Sequence, residues 1–370
     1  MRLTIQLKLQ PTPEQADALT RTLERANEAC NYISRVAWET KTFRQFAVHK
    51  LVYQPVRETF ELAAQLTVRC IAKVADAYKL DKKVMRSFSS HGAIAYDDRI
   101  LSFAMPKAEV SIWTLDGRQA IPFLCGDRQR QLLASQRGET DLALVNGEWY
   151  LFAVCEVETP DPLDVEGVLG VDLGVTNIAV DSDGEIHAGT GMKNVRYRHR
   201  SLRTKLQRKR THGSRRRLRK LAGQERRYAA WVNHNLSKRI VAKAERTKRA
   251  IALEDLTHMR TRVRARRSQR ATLHSWAFFQ LRAFIVYKAA LSGVPVHFVD
   301  PRNTSRTCPA CGCIDKANRK TQASFVCTSC GFAGPADVIA AGNIAGRVAV
   351  SPPYYPVADS SVVQGKAQEL

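Results

Sequence analysis

The first nine residues alternate. Leu3, Ile5, Leu7 and Leu9 fall on one side of an extended chain, with Arg2, Thr4, Gln6 and Lys8 on the other. That period predicts a strand with one buried face. The period then changes. Pro11-Thr12-Pro13-Glu14-Gln15 opens a helix, with Thr12 as its cap and Pro13 in its first turn, and Leu19, Leu23, Ala26 and Tyr32 continue it. Helical spacing returns across roughly 55–82 through Phe60, Leu62, Leu66, Val68 and Ile71. From about 92 to 157 the texture becomes short apolar runs (93–96, 100–103, 109–113, 120–124, 141–145 and 149–157) separated by Asp-Asp, Asp-Gly and Asn-Gly turns. These predict strands of a small barrel or sandwich that strand 1–9 joins, with the helical segment inserted between the first strand and the rest.

Residues 159–166, with Pro160 and Pro162, read as a linker. Beyond it, two apolar runs over 168–180 flank a Gly/Asp break, and Asp181-Ser182-Asp183-Gly184 turns the chain. This predicts a hairpin carrying Asp172 on its first strand. A basic helical region over 193–249, a short apolar strand over 251–256, an apolar helix over 276–291, a strand over 294–299 and a helix over 336–348 follow. Strands alternating with helices in this order predict an α/β domain with a mixed sheet. The segment from Ser351 has little periodicity and is expected to be disordered.

Composition sharpens this. The chain has 370 residues, 44% of them hydrophobic, enough for two or three domains with real cores. It carries 58 Lys and Arg against 35 Asp and Glu, a net charge of +23, which favours a polyanionic partner, DNA or RNA. The basic residues cluster. Between Lys193 and Arg227 there are sixteen Lys or Arg and one acid, Glu225. Like charges this dense destabilise a bare helix, and phosphates would neutralise them. Lys193, Arg208, Lys209, Arg210, Arg215, Arg216, Arg217, Arg219 and Lys220 are the candidate phosphate contacts here. A second cluster, Arg260, Arg262, Arg264, Arg266, Arg267 and Arg270, follows Glu254 and is a further candidate for nucleic-acid contact. Trp276, Phe278 and Phe279 are read as helix packing. No signal-like start and no membrane-length apolar run is present, which predicts a cytoplasmic, nucleoid-associated protein without membrane partners.

Five of the nine cysteines fall between 308 and 330. Cys308/Cys311 and Cys327/Cys330 are two CxxC pairs, the spacing of a structural zinc ribbon in a reducing compartment. Cys313 is read as a spare thiol, and Phe325 and Phe332 as a miniature core. Cys30, Cys70, Cys125 and Cys155 are scattered and read as buried thiols.

Three acids stand where charge is costly: Asp172 in an apolar strand, Glu254 at the end of another, and Asp337 at the start of the last helix. Gathered carboxylates raise one another's pKa. A divalent cation relieves that cost, and hard oxygen ligands favour Mg²⁺ or Mn²⁺. Two such ions suit phosphodiester hydrolysis. Asp255 directly follows Glu254, and alternation sends the two to opposite faces. Periodicity does not choose between them.

Gly170-Val171-Asp172-Leu173-Gly174-Val175-Thr176-Asn177 resembles the first motif of the TnpB family, the transposon-encoded OrfB-type relatives of compact Cas12 nucleases. Leu253-Glu254-Asp255-Leu256 resembles its second. The stretch from Asn303 to Gly312, with Cys308-Pro309-Ala310-Cys311, and then Cys327-Thr328-Ser329-Cys330-Gly331 resemble the two sides of its zinc ribbon. Ala336-Asp337, with Ala340-Ala341 and Asn343-Ile344-Ala345, resembles the third motif. The resemblance implies a multidomain α+β and α/β protein. A RuvC-like nuclease domain of RNase H type (166–302 and 334–350) would hold an inserted zinc ribbon (303–333). A β-barrel-like wedge (1–11 and 89–165) would carry a helical recognition insert (12–88), and 351–370 would be a disordered tail. It implies Asp172, Glu254 and Asp337 as ligands of Mg²⁺ or Mn²⁺, structural Zn²⁺ on the four cysteines, a guide RNA and a target DNA cut beside a short flanking motif. A transposase partner, and a monomer against a homodimer, are left open. Family members often carry His two positions before the last Asp and Asn two after it. Pro335 and Ile339 stand there in this chain. Those departures motivate a second reading, a guided DNA-binding module with weak or no cleavage. A third is a transposase acting directly on DNA ends.

Overall fold

The computed structural model describes residues 1–256, 278–348 and 353–354. The chain divides into two compact units, one over Met1–Val157 and one that begins at Glu158.

In the first unit the alternating segment is strand β1 (Arg2–Leu9), which buries Ile5, Leu7 and Leu9. Helices α1 (Pro13–Glu39), α2 (Gln45–Phe60) and α3 (Ala64–Leu80) follow. Thr12 and Gln15 close the start of α1 reciprocally: the Gln15 N–H donates to Thr12 Oγ1 (3.3 Å) and the Thr12 N–H to Gln15 Oε1 (3.1 Å). Helix α2 starts well before the expected position and runs through Pro55. An internal proline costs about 3 kcal/mol. Burial of Val48, Val52 and Val56, at i, i+4 and i+8, offsets it.

Strands β2 (Ile94–Tyr96), β3 (Leu101–Ala104), β4 (Glu109–Thr114), β5 (Gly117–Leu124), β6 (Gln136–Val145) and β7 (Glu148–Glu156) join β1 in one antiparallel sheet. The order is β2-β6-β7-β1-β5-β4-β3, so the first strand lies in the middle. Its two ends, β2 and β3, are joined only by residues 97–100. Seven flat strands would hold their edges about 29 Å apart at ~4.8 Å per strand, whereas five Cα steps reach at most about 19 Å. The sheet therefore curls towards closure. Tyr96 Oη donates to the Trp113 carbonyl (3.1 Å) where the ends approach. Of barrel and sandwich, the barrel-like form is the one present. Helix α4 (Asp127–Leu133) between β5 and β6 has no counterpart in the sequence reading, because 7 residues are too few to show an amphipathic period. Helices and sheet share one core. Within it, buried Asn27 donates to the carbonyls of Leu23, Ser90 and Gly92 and accepts from Lys73 (2.7 Å), which fixes the chain's return from the helices to the sheet.

The second unit opens with an antiparallel meander, β8 (Gly167–Asp172), β9 (Asn177–Asp181) and β10 (Ile186–Ala188), one strand longer than the expected hairpin. Two basic helices follow, α5 (Thr190–Lys209) and α6 (His212–Arg246). Glu225, the acid in the basic stretch, ties them by facing Arg196 (3.6 Å) and Arg203 (3.4 Å). Strand β11 (Arg249–Glu254) then pairs parallel with β8, helix α7 (Phe278–Leu291) crosses over, and β12 (Val296–Val299) pairs parallel with β11. The small hairpin β13 (Ser324–Val326) and β14 (Ala333–Pro335) precedes helix α8 (Ala336–Gly346). The sheet order is β10-β9-β8-β11-β12-β15, where β15 (Pro353–Tyr354) is an antiparallel edge. Apart from those two residues, the tail from Ser351 lies outside the described residues.

Alternation along β8 and β11 assigns the faces. Leu169, Val171, Ile251 and Leu253 pack with α6 and α7. Ala252 packs on the opposite side with Ile344 of α8 and with Val299, and Val168 borders that cluster. A meander continued by parallel strands, with helices on both faces, is the RNase H-type arrangement. No described helix is long and apolar enough to cross a membrane.

Candidate active site

Asp172 and Glu254 are the last residues of β8 and β11. The parallel register pairs Leu253 with Val171, which sets the two acids side by side at the carboxyl edge of the sheet. Open α/β sheets place ligands at such edges. Asp172 shares a face with Gly170 and Val168, and Glu254 with Ala252, so both carboxylates project on the α8 side. Asp255 takes the other side and pairs with Arg282 of α7 at 3.1 Å. The ambiguity between the two adjacent acids is thus resolved by which helix each one faces.

Asp337 comes from the first turn of α8, where the helix N-terminus favours negative charge. It reaches the strand acids because α8 lies directly on β8 at Gly170. A Cβ there would stand 2.0 Å from the Ala341 carbonyl oxygen and 2.7 Å from the Ala345 nitrogen. Both oxygens of Asp337 are held. Asn177 of β9 donates to Oδ2 (2.9 Å) and Arg319 to Oδ1 (2.5 Å). Thr304 Oγ1 donates to Glu254 Oε1 (2.5 Å). Asn343 of α8 holds Thr304 in place by donating to the carbonyls of Thr304 and Thr307, each at 2.8 Å.

Burial raises the Asp172 pKa to about 7, with repulsion from Glu254 and Asp337 adding to it and Arg319 opposing it. Burial also raises Glu254, against the hydrogen bond from Thr304. An oxygen-only set of buried carboxylates that repel one another fits a hard divalent cation.

The four thiols of Cys308, Cys311, Cys327 and Cys330 lie within 4.8 Å of one another. Cys308–Cys330 and Cys311–Cys327 are each separated by 3.6 Å between sulfurs. Tetrahedral Zn²⁺ with bonds of about 2.3 Å would hold sulfurs at about 3.8 Å, so the cluster fits a metal of that size. Each CxxC turn is closed by the glycine after it: Gly312 N–H donates to the Cys308 carbonyl (2.9 Å) and Gly331 N–H to that of Cys327 (3.1 Å). Both glycines have positive φ, 72° and 75°, which favours glycine. The N–H of Cys330, followed by that of Ser329, lowers the Cys327 thiol, while, against the Phe332 N–H, the neighbouring thiols raise that of Cys330, so the four sulfurs share their protons. Phe325 is buried as expected, but Phe332 is 38% exposed and does not join the small core. Ile339 of α8 fills that role with Cys308, Cys327 and Ala336. The residue that departs from the family pattern thus joins the ribbon to the helix carrying Asp337. Cys313 is half-buried and packs beside the cluster.

Lys193, Arg208 and Lys209 on α5, Arg210 between the helices, and Arg215, Arg216, Arg217, Arg219 and Lys220 on α6 are all exposed. Arg260, Arg262, Arg264, Arg266, Arg267, Arg270 and Trp276 lie outside the described residues, as does the side chain of Phe278. Phe279 is 37% exposed rather than buried. The sequence reading gave no role to Asn177, Thr304, Arg319 or Asn343. Asn177 and Asn343 fall inside the recognised motifs. Nothing in the sequence marks Arg319 among 58 basic residues.

Residues 278–344 match the Cas12f1-like, TNB domain family model. The chain is 30% identical over 196 residues to a TnpB-like protein of Methanocaldococcus jannaschii, covering 50% of this chain and 70% of that protein. It is 40% identical over 115 residues to the CRISPR-associated endodeoxyribonuclease Cas12f1 of Sulfoacidibacillus thermotolerans, covering 31% of this chain and 26% of the relative. For the Cas12f1 of Syntrophomonas palmitatica the match is 31% over 206 residues, 50% of this chain and 40% of that one. The chain thus spans less than half of these two Cas12f1 relatives. The fold is similar to the protein in the cryo-EM structure of a Cas12f1-sgRNA-target DNA complex, with a TM-score of 0.63, 16% identity and coverage of 90% of this chain and 83% of that one. With the motifs, the sheet and the relatives in agreement, the chain belongs to the TnpB/Cas12f family of RNA-guided nucleases.

Proposed function

We propose that this chain is an RNA-guided, metal-dependent DNA endonuclease, encoded by a transposon, that hydrolyses DNA complementary to its guide beside a short flanking motif. The observation that carries the reading is the convergence of Asp172, Glu254 and Asp337, from three distant segments, at one carboxyl edge. These residues would hold Mg²⁺ or Mn²⁺, and the bound ions would supply water activation and stabilisation of the leaving 3′ oxygen. Asn177 and Arg319 fix the orientation of Asp337, and Thr304 that of Glu254. The four cysteines would hold structural Zn²⁺ and so keep the Arg319 segment against Asp337. The exposed Lys and Arg of α5 and α6, with Arg264, Arg266 and Arg267, would contact nucleic-acid phosphates. The helical insert (12–88) would act as recognition lobe, and the curled sheet (1–11 and 89–165) as the wedge gripping guide scaffold and flanking duplex. A cytoplasmic, nucleoid-associated location suits this role.

The test is purification with the native neighbouring RNA, followed by supply of matching DNA bearing a randomised flank. Mg²⁺-dependent cleavage next to one flank is expected, falling at least a thousandfold in Asp172→Ala and disappearing after RNase treatment. Absence of cleavage with every flank, or unchanged cleavage in Asp172→Ala, overturns the reading. Guide-dependent binding without cleavage would select the binding-module alternative, which the Arg319–Asp337 ion pair favours because the guanidinium occupies one ligand oxygen. Cleavage that survives RNase would select the direct transposase.

A further inference from the structure

The nuclease reading uses the charge of α6 but not its aromatic residues. Trp231 of α6 is 62% exposed. It stacks on Tyr228 with ring centroids 6.0 Å apart and planes inclined by 27°. Tyr228 is half-buried against the core between α6 and the sheet, so it backs the indole from the protein side. Asn235 Nδ2 donates to the Trp231 carbonyl (2.8 Å) within the same helix. The arrangement is a supported ring that no other aromatic side chain among the described residues is seen to stack on.

Its position along the fold is informative. Helix α6 ends at Arg246, turns and packs back on β11 from Arg249. Five steps up β11 to Glu254 rise about 17 Å, which corresponds to about eleven helical residues, so α6 passes the level of Glu254 near Asn235. Trp231 stands one turn beyond, past the carboxyl edge, on a helix that covers the face opposite to the one the carboxylates take. A series of contacts also links Tyr228 to the segment that holds Asp337. The Tyr228 hydroxyl lies 3.2 Å from where a Cβ on Gly191 would be. Gly189 N–H, two residues earlier, donates to the Thr176 carbonyl (2.9 Å), and the next residue, Asn177, holds Asp337.

The surroundings fit a nucleic acid. From Arg226 to Ala244 there are five Lys or Arg and no acid. Arg227 and Lys238, both exposed, lie on the helical face of Trp231. An indole ring in a positive field stacks on a nucleobase while neighbouring cations take the phosphates. A duplex covers its base faces everywhere but at its two ends, so along a continuous strand the ring fits an unpaired base.

We propose that Trp231, backed by Tyr228, is a stacking site for an unpaired base of the DNA strand that passes the carboxylates. The proposal rests on the nuclease reading for the identity of the strand, but its test reads binding alone. The chain, without added divalent metal, is titrated against a labelled ten-nucleotide oligothymidylate, a duplex of the same length closed at both ends by hairpin loops of abasic nucleotides, and an oligomer of abasic nucleotides. Trp231→Ala is expected to weaken oligothymidylate binding about tenfold and leave duplex binding within about twofold. Trp231→Phe is expected to retain most of the affinity. The abasic oligomer is expected to bind the unaltered protein no better than oligothymidylate binds Trp231→Ala. Equal oligothymidylate affinity in Trp231→Ala and the unaltered protein overturns the proposal. So does an equal loss on duplex, which would mark the residue as structural or as a contact for protein. Failure of cleavage in the Asp172 experiment leaves these readouts intact, so the two ideas fail separately.

Discussion

The second unit gathers two sets of ligand-type side chains, and they are built in opposite ways. The four thiols come from one stretch of 23 residues, Cys308 to Cys330, and close on each other through two local turns. The three carboxylates come from β8, β11 and α8, separated by 82 and 83 positions along the chain. The thiols attract a metal and are arranged by short-range geometry. The carboxylates repel one another and are brought together only because the sheet and α8 pack. With metal bound, one cluster would therefore be a source of stability, whereas the other is a cost carried by the rest of the domain.

Loss of a thiol is expected to have the largest effect on structure. Structural Zn²⁺ in small modules is worth roughly 10–16 kcal/mol of apparent binding free energy. Cys327→Ser should lose zinc, measured by metal analysis, and expose 303–335 to limited proteolysis. Cys313→Ser should retain zinc, because Cys313 stands outside the set of four. Zinc retained in Cys327→Ser with Cys313 present would show that the spare thiol can replace a ligand.

Next in size is the contact that assembles the carboxylates. Gly170→Ala places a Cβ 2.0 Å from the Ala341 carbonyl oxygen, against helix backbone that cannot simply rotate away. Overpacking of this kind costs about 1–3 kcal/mol. Denaturant unfolding should show that loss, and cleavage should fall because Asp337 moves with α8. Unchanged stability would mean that β8 and α8 do not lie so close in solution.

A third test, of pH dependence, addresses the cost of the carboxylates directly. The Asp172 pKa rises from 3.8 to about 7 on folding, so the folded state binds this proton more tightly. The stabilisation is complete below pH 4 and is lost as pH rises through about 7. Asp172→Asn removes that loss. In metal-free protein the variant should melt above the unaltered chain at pH 8 and show no such gain at pH 4. Mg²⁺ should raise the melting temperature of the unaltered chain at pH 8 and not that of the variant. Equal melting at both pH values would mean that folding does not raise the Asp172 pKa.

Much of this was legible in the sequence, and the misses have physical causes. The alternation of Leu3, Ile5, Leu7 and Leu9 gave β1, because a strand half-exposed to water must separate polar from apolar residues. Thr12 and Gln15 gave the start of α1, because a cap is a local exchange of hydrogen bonds. Helix α2 was read as starting too late because Pro55 opposes a helix locally, and only burial of Val48, Val52 and Val56 overrides it. Phe332 was assigned to the ribbon core on hydrophobicity alone, whereas the ribbon takes Ile339 from α8 instead.

By itself, the sequence determined what neighbouring atoms decide: strand and helix periods, the caps, and the cysteine turns closed by Gly312 and Gly331. It also carried the family's motifs, and with them the expectation that Asp172, Glu254 and Asp337 act together. Only the tertiary structure decided which of Glu254 and Asp255 faces the others, since that depends on which helix covers each side of β11. Only packing revealed Arg319 and Asn177 at Asp337, because their contacts span 18 and 160 positions and leave no periodic trace. The same holds for Trp231, an ordinary residue of a basic helix until β11 fixes its height beside the carboxyl edge.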